Sequence, residues 1–560
     1  MKVGILGYGV YIPRERIESQ SILKEREKKN PKLDDLVSRL TKGLLVKNKA
    51  IASIFEDSAT LAYEAASNAI RMSGIDPVDI EAVIVGTESK PYAVKPIATQ
   101  VGSWIGASNY KYAFDLECAC LGGIQAISVT KAYVSSKSIK CGMGIGTDVS
   151  SAAEKDDLEY AVGAGGVAGV VGRGTEDELI GELYSAVPYT SDYPDFFRRD
   201  GVEYPKHFGP TTADAYIEHV DGAIIKLLEK TPDMCLADFD DIAPHEPNGW
   251  MPKKAFSAFV PEEIEKIKNK PEKERSLTDN ALLRIDETLE IKGLKERSRL
   301  TREDIEKKLV PNLKPVLEIG NTYAAQTGIV LSYILDKAKP YQKILVASYG
   351  SGGGSIATPF LVLPGIEKKR GIVPTVDDYI DRMVEIKLNT YKKLFKERMK
   401  RWAAEHLTFR KIVGAVEPAE DNDGFYNASI CKKCGAMYTP GRWCLDSNHA
   451  QDELVYLDLP KKSVLKSFSA HSLRKSFRET ASNIMLQGKV ILVDCKKEDL
   501  YSGMKLEPVI RRLDQEGKDG LIYYGWAYRP LFRDSEKYLS HPRERKEKFI
   551  EATHSKSDKR

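Results

Sequence analysis

The chain carries one plan twice. Val78-Asp79-Ile80-Glu81-Ala82-Val83 is answered by Ala237-Asp238-Phe239-Asp240-Asp241-Ile242. Leu116-Glu117, just ahead of Cys120, is answered by Leu317-Glu318, just ahead of Asn321. A pattern that returns in the same order predicts two copies of one α/β unit sharing a core, and few architectures accept that. Equivalent loops of the two copies should then converge, so polar residues at matching strand ends are the first candidates for chemistry.

In the first copy, residues 57–72 carry apolar side chains at helical spacing and end at Gly74, a residue suited to a left-handed helix stop. Residues 82–86 read as a buried strand that ends in Thr87-Glu88-Ser89, which puts Glu88 at its carboxyl end. A second apolar run, 114–116, gives way to Cys118-Ala119-Cys120-Leu121-Gly122-Gly123 at the head of a helical segment reaching about Ser136. Unpaired N–H groups and the dipole at a helix start favour a thiolate, and predict a cysteine pKa below the usual value of about 8.5. Cys118 competes with Cys120, and either could be a small packed residue. Cys118 falls opposite the apolar Ile319, whereas Cys120 falls opposite Asn321, so Cys120 is the preferred nucleophile.

Residues 139–147 form another expected strand, and 160–172 a glycine-rich run suited to close backbone packing. In the second copy, 212–230 is an expected helix, and His245 in Pro244-His245-Glu246-Pro247-Asn248-Gly249 matches the Glu88 region. The stretch between His245 and Asn321 is about 40 residues longer than its counterpart, mostly in the charged, helix-prone region 254–309, an insertion rather than a new core. Ile344-Leu345-Val346-Ala347-Ser348 reads as the last strand, followed by a donor-rich loop holding Gly350 and Ser351. Gly7-x-Gly9 is not a dinucleotide loop, since the third glycine is absent and Pro13 follows where a helix should start. A nucleophile, a carboxylate base, an imidazole and an amide at equivalent ends of two repeats make a constellation for acyl-thioester chemistry.

With Gly7-Tyr8-Gly9, Gly86-Thr87-Glu88-Ser89-Lys90-Pro91-Tyr92-Ala93-Val94-Lys95-Pro96, Ala119-Cys120-x-Gly122-Gly123, Pro194-Asp195-Phe196-Phe197-Arg198-Arg199, His245-x-Pro247-Asn248-Gly249, Gly320-Asn321-Thr322-Tyr323 and Ser348-Tyr349-Gly350-Ser351-Gly352, residues 1–365 resemble the 3-hydroxy-3-methylglutaryl-CoA synthases of the thiolase superfamily, in their archaeal form. The resemblance implies a duplicated thiolase-like five-layer αβαβα domain, with repeats about 1–175 and 176–365, acting on coenzyme A thioesters as a homodimer. It implies that Cys120 carries the acyl group, that Glu88 removes a proton from its α-carbon, and that His245 and Asn321 orient and polarise the acceptor. Backbone N–H groups of Cys120 and the Gly350-Ser351 loop would serve the oxyanions. Leu121 and Ile124-Gln125 stand where typical synthases carry smaller or more polar residues, and Trp250 stands where they usually have a lysine that meets CoA.

Beyond Gly371 the character changes. Residues 366–425 read as a helical linker, opened by the capping box Thr375-x-x-Asp378. Residues 426–452 read as a zinc ribbon with Cys431, Cys434 and Cys444 as ligands. His449 is taken as the fourth, because Ser447 stands where a second Cys-x-x-Cys would finish. Short β-rich runs at 464–470, 488–494, 506–512 and 520–528 fit a small five-stranded, OB-like barrel within 453–535, and 536–560 is a charged tail. This pairing resembles the zinc-ribbon/OB proteins that accompany thiolases, which implies structural zinc and an acetyl-CoA acetyltransferase (thiolase) partner.

The formal net charge of +3 over 560 residues gives no chain-wide footprint for nucleic acid, and no apolar stretch has the length of a membrane span. Met1 to Leu6 reads as a strand rather than a signal peptide, so a cytoplasmic enzyme is expected. The competing readings are a ketoacyl-CoA synthase or acyltransferase using the same cysteine, and a nucleic-acid-binding zinc/OB protein with an inactive thiolase-like domain. Glu88 argues against a decarboxylating enzyme, which would not need a base.

Overall fold

The computed structural model describes residues 1–399 apart from 185, 200, 201 and 203, and beyond them 410–418, 426–431, 437–438, 454–459, 463–472, 489–495, 500–501, 503–515 and 522–531. The chain divides into two compact units: Met1–Ala52 with Asp57–Tyr391, and Ser53–Glu56 with Lys392–Arg560.

In the larger unit the first repeat contributes β1 (Lys2–Tyr11), β2 (Ala82–Gly86), β3 (Tyr112–Leu116), β4 (Gly142–Val149) and β5 (Ala164–Gly174). The second contributes β6 (Gly181–Leu183), β7 (Asp241–Pro244), β8 (Lys343–Gly350) and β9 (Gly354–Val362). Their order in the sheet is β7-β8-β9-β6-β1-β5-β4-β2-β3, with Val187–Tyr189 added beside β9. β2 runs parallel to β4, β4 antiparallel to β5, and β5 antiparallel to β1. The second repeat copies this with β7 parallel to β8, then β9 and β6 antiparallel. One register pair, Ile5 with Gly181, joins the two copies.

The helices explain the glycine spacing of β1. Helix α1 (Ser58–Ser73) starts at a capping box in which Asp57 accepts from Ala59 and Thr60, an arrangement worth about 1 kcal/mol, and stops at Gly74 with φ +74°. It lies so close on β1 that a Cβ at Gly9 would stand 2.2 Å from the Ala65 carbonyl oxygen. Gly7-x-Gly9 is thus a packing device, as its rejection as a dinucleotide loop requires. β2 is buried along its whole length, which accounts for its unbroken apolar sequence. In the second repeat the helices α2 (Gly209–Lys230) and α3 (Leu277–Ile291) share one core with β8, through Ile224, Leu228, Leu282, Ile285, Leu345 and Tyr349. Residues of the charged stretch 254–309 thus share this core.

Two expectations fail here. Leu317-Glu318 does not end a strand: it lies in the helix Lys314–Ile319, with Pro315 in its first turn, so β3 has no counterpart in the second copy. Nor is β8 the last strand, because Ser351–Gly353 is a tight turn that returns the chain as β9 in full antiparallel register, from Lys343–Leu361 to Gly350–Gly354. The glycines read as a loop are the turn of a hairpin.

The smaller unit contains a closed five-stranded barrel of β10 (Arg410–Pro418), β11 (Ser463–Ser472), β12 (Lys489–Leu492), β13 (Lys505–Gln515) and β14 (Ile522–Pro530). Four strands match the β-rich runs. The fifth, β10, falls inside the stretch expected to be a helical linker. That stretch is also interrupted earlier, since the helix Val376–Asp381, capped by Thr375 as anticipated, is followed by the short strand Val384–Glu385 before the helix Leu388–Met399. Between β10 and β11 the strands Tyr426–Cys431, Met437–Tyr438 and Leu454–Leu459 make a separate three-stranded sheet. Cys431 ends the first of these strands, while Cys434, Cys444 and His449 lie outside the described residues. No helix among the described residues is long and apolar enough to cross a membrane.

Candidate active site

The end of β2 and the turn before the helix Gly122–Ser135 are pressed together backbone to backbone. A Cβ at Gly86 would lie 2.1 Å from the carbonyl carbon of Gly122, and one at Gly123 would lie 2.2 Å from the Ala324 carbonyl oxygen. These contacts explain the glycine pair after Cys120, and bring Cys120 beside Glu88 from β2 and the 321–324 loop from the second copy. Cys120 is 5% exposed and packs with Ala152, Val162 and Tyr323, with Phe196 lying over the cluster.

The Cys120 thiol lies beside the Glu88 carboxylate, close enough for each to act on the other's proton. Its pKa is pushed well above the ordinary thiol value, first by burial and then by the Glu88 charge. The expected depression by the helix terminus is therefore overturned: one favourable backbone N–H is outweighed by desolvation and a neighbouring anion. Glu88 is itself raised well out of the carboxylate range, by burial first and by Asp148 second. The neighbouring Cys120 thiol and the Arg198 guanidinium oppose that rise. Its Oε1 is buried without a hydrogen-bond partner. Burial thus favours the protonated form of both groups, and the two lie where a charge created on one is felt by the other.

Asp148, at the end of β4, organises this neighbourhood and was missed from sequence. Its Oδ1 accepts from Thr87 Oγ1 at 2.9 Å, Glu88 N at 2.8 Å and Ser89 Oγ at 2.6 Å, and its Oδ2 accepts from Ala324 N at 2.9 Å. It ties the Glu88 loop of one copy to the Asn321 loop of the other. The argument applied to Glu88, an acid at the carboxyl end of a buried strand, would have found it.

His245 follows β7 directly. Its backbone is fixed by its N–H to Ala347 O at 2.8 Å and by Tyr216 Oη donating to its carbonyl at 2.6 Å. Burial alone pushes the imidazole pKa down to about 3, so the ring is neutral at ordinary pH, and its Nδ1 is buried without a partner. Asn321 is 6% exposed, and its Oδ1 accepts from Tyr323 N at 2.9 Å, which fixes the amide plane. Tyr323, quoted in the sequence stretch around Asn321 but given no role there, is buried with an unpartnered hydroxyl beside Glu88 and Cys120.

Gly350 lies against the Cys120 turn, for a Cβ there would stand 2.4 Å from the Cys118 carbonyl oxygen. Asp195 anchors the Ser351–Gly353 turn by accepting from Gly352 N at 2.9 Å and Tyr349 Oη at 3.0 Å. Arg198, three residues on, donates to the Glu88 carbonyl at 2.8 Å. Cys118 is half-buried, and burial raises its pKa too.

No protein-family model matches the chain. The hydroxymethylglutaryl-CoA synthase of Methanopyrus kandleri is 37% identical over 399 residues, covering 71% of this chain and 98% of the relative. That of Methanobrevibacter smithii is 38% identical over 401 residues, covering 71% and 99%. Among solved structures, MvaS in complex with 3-hydroxy-3-methylglutaryl coenzyme A superposes with a TM-score of 0.58 at 21% identity, covering 71% of this chain and 92% of that one. The thiolase-like synthase fold thus accounts for the N-terminal part of the chain.

Proposed function

The chain belongs to the hydroxymethylglutaryl-CoA synthase family, and on that premise we propose that Cys120, Glu88, His245 and Asn321 divide the work of a carbon–carbon condensation between coenzyme A thioesters. The enzyme is an acyltransferase of the hydroxymethylglutaryl-CoA synthase type. Its donor thioester acylates the Cys120 sulfur as CoA leaves as a thiol. Glu88 then takes a proton from the methyl carbon of the bound acyl group, and the resulting carbanion attacks the ketone carbon of a 3-ketoacyl-CoA. Water finally cleaves the Cys120 thioester, leaving a free carboxylate on the product.

The observation that carries this reading is the buried thiol–carboxylate pair, Cys120 with Glu88, held under Asp148. A carboxyl whose pKa is raised is a stronger base once ionised, which proton removal from carbon demands. His245, held neutral, serves as a dipole and Asn321 as an amide toward the acceptor carbonyl. Backbone N–H groups of Cys120 and the Gly350-Ser351 turn face the oxyanions. Incubation with acetyl-CoA should leave an acetyl group on the Cys120 peptide by mass analysis. A persistent adduct on Cys118 in Cys120→Ala would overturn the assignment.

The working molecule in this reading is a homodimer, because β3 closes one end of the sheet as an edge strand, with Tyr112 half exposed. Cys118, Cys120, Cys141 and Cys235 are free thiols, which suits the reducing cytoplasm. The C-terminal unit is read as an OB-like barrel with an inserted zinc ribbon. Support comes from the closed five-stranded barrel and the strand that delivers Cys431 at its end. Structural zinc on Cys431, Cys434, Cys444 and His449 would be lost in Cys431→Ser, as metal analysis can decide. The module is proposed to recruit the acetyl-CoA acetyltransferase (thiolase) that makes the 3-ketoacyl substrate, and its attachment would raise that supplier's effective concentration beside the cleft.

A further inference from the structure

Glu159 stands outside the ring of groups around Cys120, yet it is more heavily engaged than its local element needs. It is 1% exposed, on the short helix Asp157–Ala161, whose start is already capped by Asp156. Arg26 grips the carboxylate with two nitrogens, Nη2 to Oε1 at 2.8 Å and Nε to Oε2 at 3.2 Å. Tyr391 Oη donates to Oε1 at 3.1 Å, Lys155 N–H donates to Oε2 at 2.8 Å, and Lys49 Nζ donates to the Glu159 carbonyl at 2.6 Å. These groups come from four separate stretches of chain.

Just beyond the helix the backbone is locked to Asn321. Asn321 N–H donates to Ala161 O at 2.8 Å, Gly163 N–H donates to Asn321 O at 2.8 Å, and Val162 forms a parallel bridge with Asn321. The fit has no slack: a Cβ at Gly163 would lie 2.0 Å from Ile319 O, and one at Gly320, where φ is +74°, would lie 2.7 Å from Ala161 O. A shift of Glu159 must therefore move the Asn321 backbone, and the side-chain amide turns with it.

We infer that Glu159, clamped by Arg26 and Tyr391, is a positioning residue for Asn321, holding its amide in register with the acyl group on Cys120. The inference rests on the proposed role of Asn321 in the condensation. Misplacing a reacting or polarising group by about 1 Å can cost on the order of 10²-fold in rate. A partial loosening should therefore register in the carbon–carbon bond-forming step, and not in acylation.

The test uses the full-length chain as Glu159→Gln, Tyr391→Phe, Asn321→Ala and the Glu159→Gln/Asn321→Ala double variant. Cys120 acylation by acetyl-CoA is followed by mass, and condensation with acetoacetyl-CoA by kcat and KM. Glu159→Gln should lower condensation kcat by about tenfold while acylation stays within about twofold. Tyr391→Phe, which removes one hydroxyl and guards against a folding failure of the first variant, should show the same split at about threefold. The double variant should be no slower than Asn321→Ala alone, because the clamp acts only through that amide. Additive losses in the double variant, or equal slowing of acylation and condensation, would reduce Glu159 to a general stabiliser and end the proposal. If Asn321→Ala itself left condensation intact, the role of Asn321 would fall and the inference with it, a result recognisable without the other variants.

Discussion

The two repeats share a strand plan but present opposite chemistry to the cleft. The first brings ionisable groups, Glu88, Asp148 and Cys120: burial raises all three pKa values, and nearby carboxylates add to the rise at Glu88 and Cys120. The second brings groups that stay uncharged: His245, neutral because its pKa is pushed down to about 3, and Asn321. Next to them is Glu246, wholly buried, accepting from Gln326 Nε2 at 2.9 Å, its pKa pushed well above the usual value by burial. A duplicated frame thus places mobile protons on one wall and fixed dipoles on the other, an assignment of roles made by environment rather than by fold.

The sharpest way to break this contrast is to neutralise the first wall. Glu88→Gln keeps shape and removes the base, so condensation should fall by about 10²-fold or more while acetylation of Cys120 persists. Equal loss of both steps would show that Glu88 is not a dedicated base. Emptying the second wall should cost somewhat less: His245→Ala or Asn321→Ala is expected to lower condensation by about 10²-fold, as loss of one oxyanion-type donor does, with acylation retained.

Electrostatic neighbours of Glu88 should move its titration in opposite senses. Arg198→Met removes a cation that favours the ionised base, so the acid limb of the condensation pH profile should shift to higher pH. Asp148→Asn removes an anion that disfavours it, so the limb should shift to lower pH. Shifts of the same sign in both variants would show that the limb belongs to another group. The smallest effect is reserved for Glu246→Gln. A carboxyl whose folded-state pKa is raised contributes stability that is present below its unfolded pKa and declines as pH rises toward the folded value. The substitution should leave neutral-pH activity nearly intact and flatten the fall of thermal stability as pH rises above the ordinary carboxylate range, readable as melting curves taken at successive pH values.

Much of this was legible in sequence because it depended on local pattern. The capped ends of α1 at Asp57 and Gly74, the buried run of β2 and the strand-end placement of Glu88 and His245 follow from periodicity and turn residues. What failed depended on partners distant along the chain. Leu317-Glu318 imitates Leu116-Glu117, yet Pro315 and a different set of neighbours make it a helix. β10 has no partner nearer than β11 and β12, so nothing local distinguishes it from linker. Asp148 was legible in principle but its value lies in bonds to residues of both repeats, and the elevated pKa of Cys120 comes from burial that no one-dimensional motif records.

The position of β1 carries a consequence for how the chain is made. This strand precedes all its partners along the chain: it is hydrogen-bonded along its length to β5, from Lys2 with Gly174 to Tyr11 with Gly166, and touches β6 at Ile5. None of those partners exists until residues 164–183 have been synthesised, so a strand that will be almost wholly buried must wait while the chain between grows. Such long-range pairing is slow and leaves an apolar edge open to wrong partners. Because β1 alone bridges the two repeats in the sheet, removing this strand would leave two half-sheets. β1 thus takes its place only once strands made well after it have appeared.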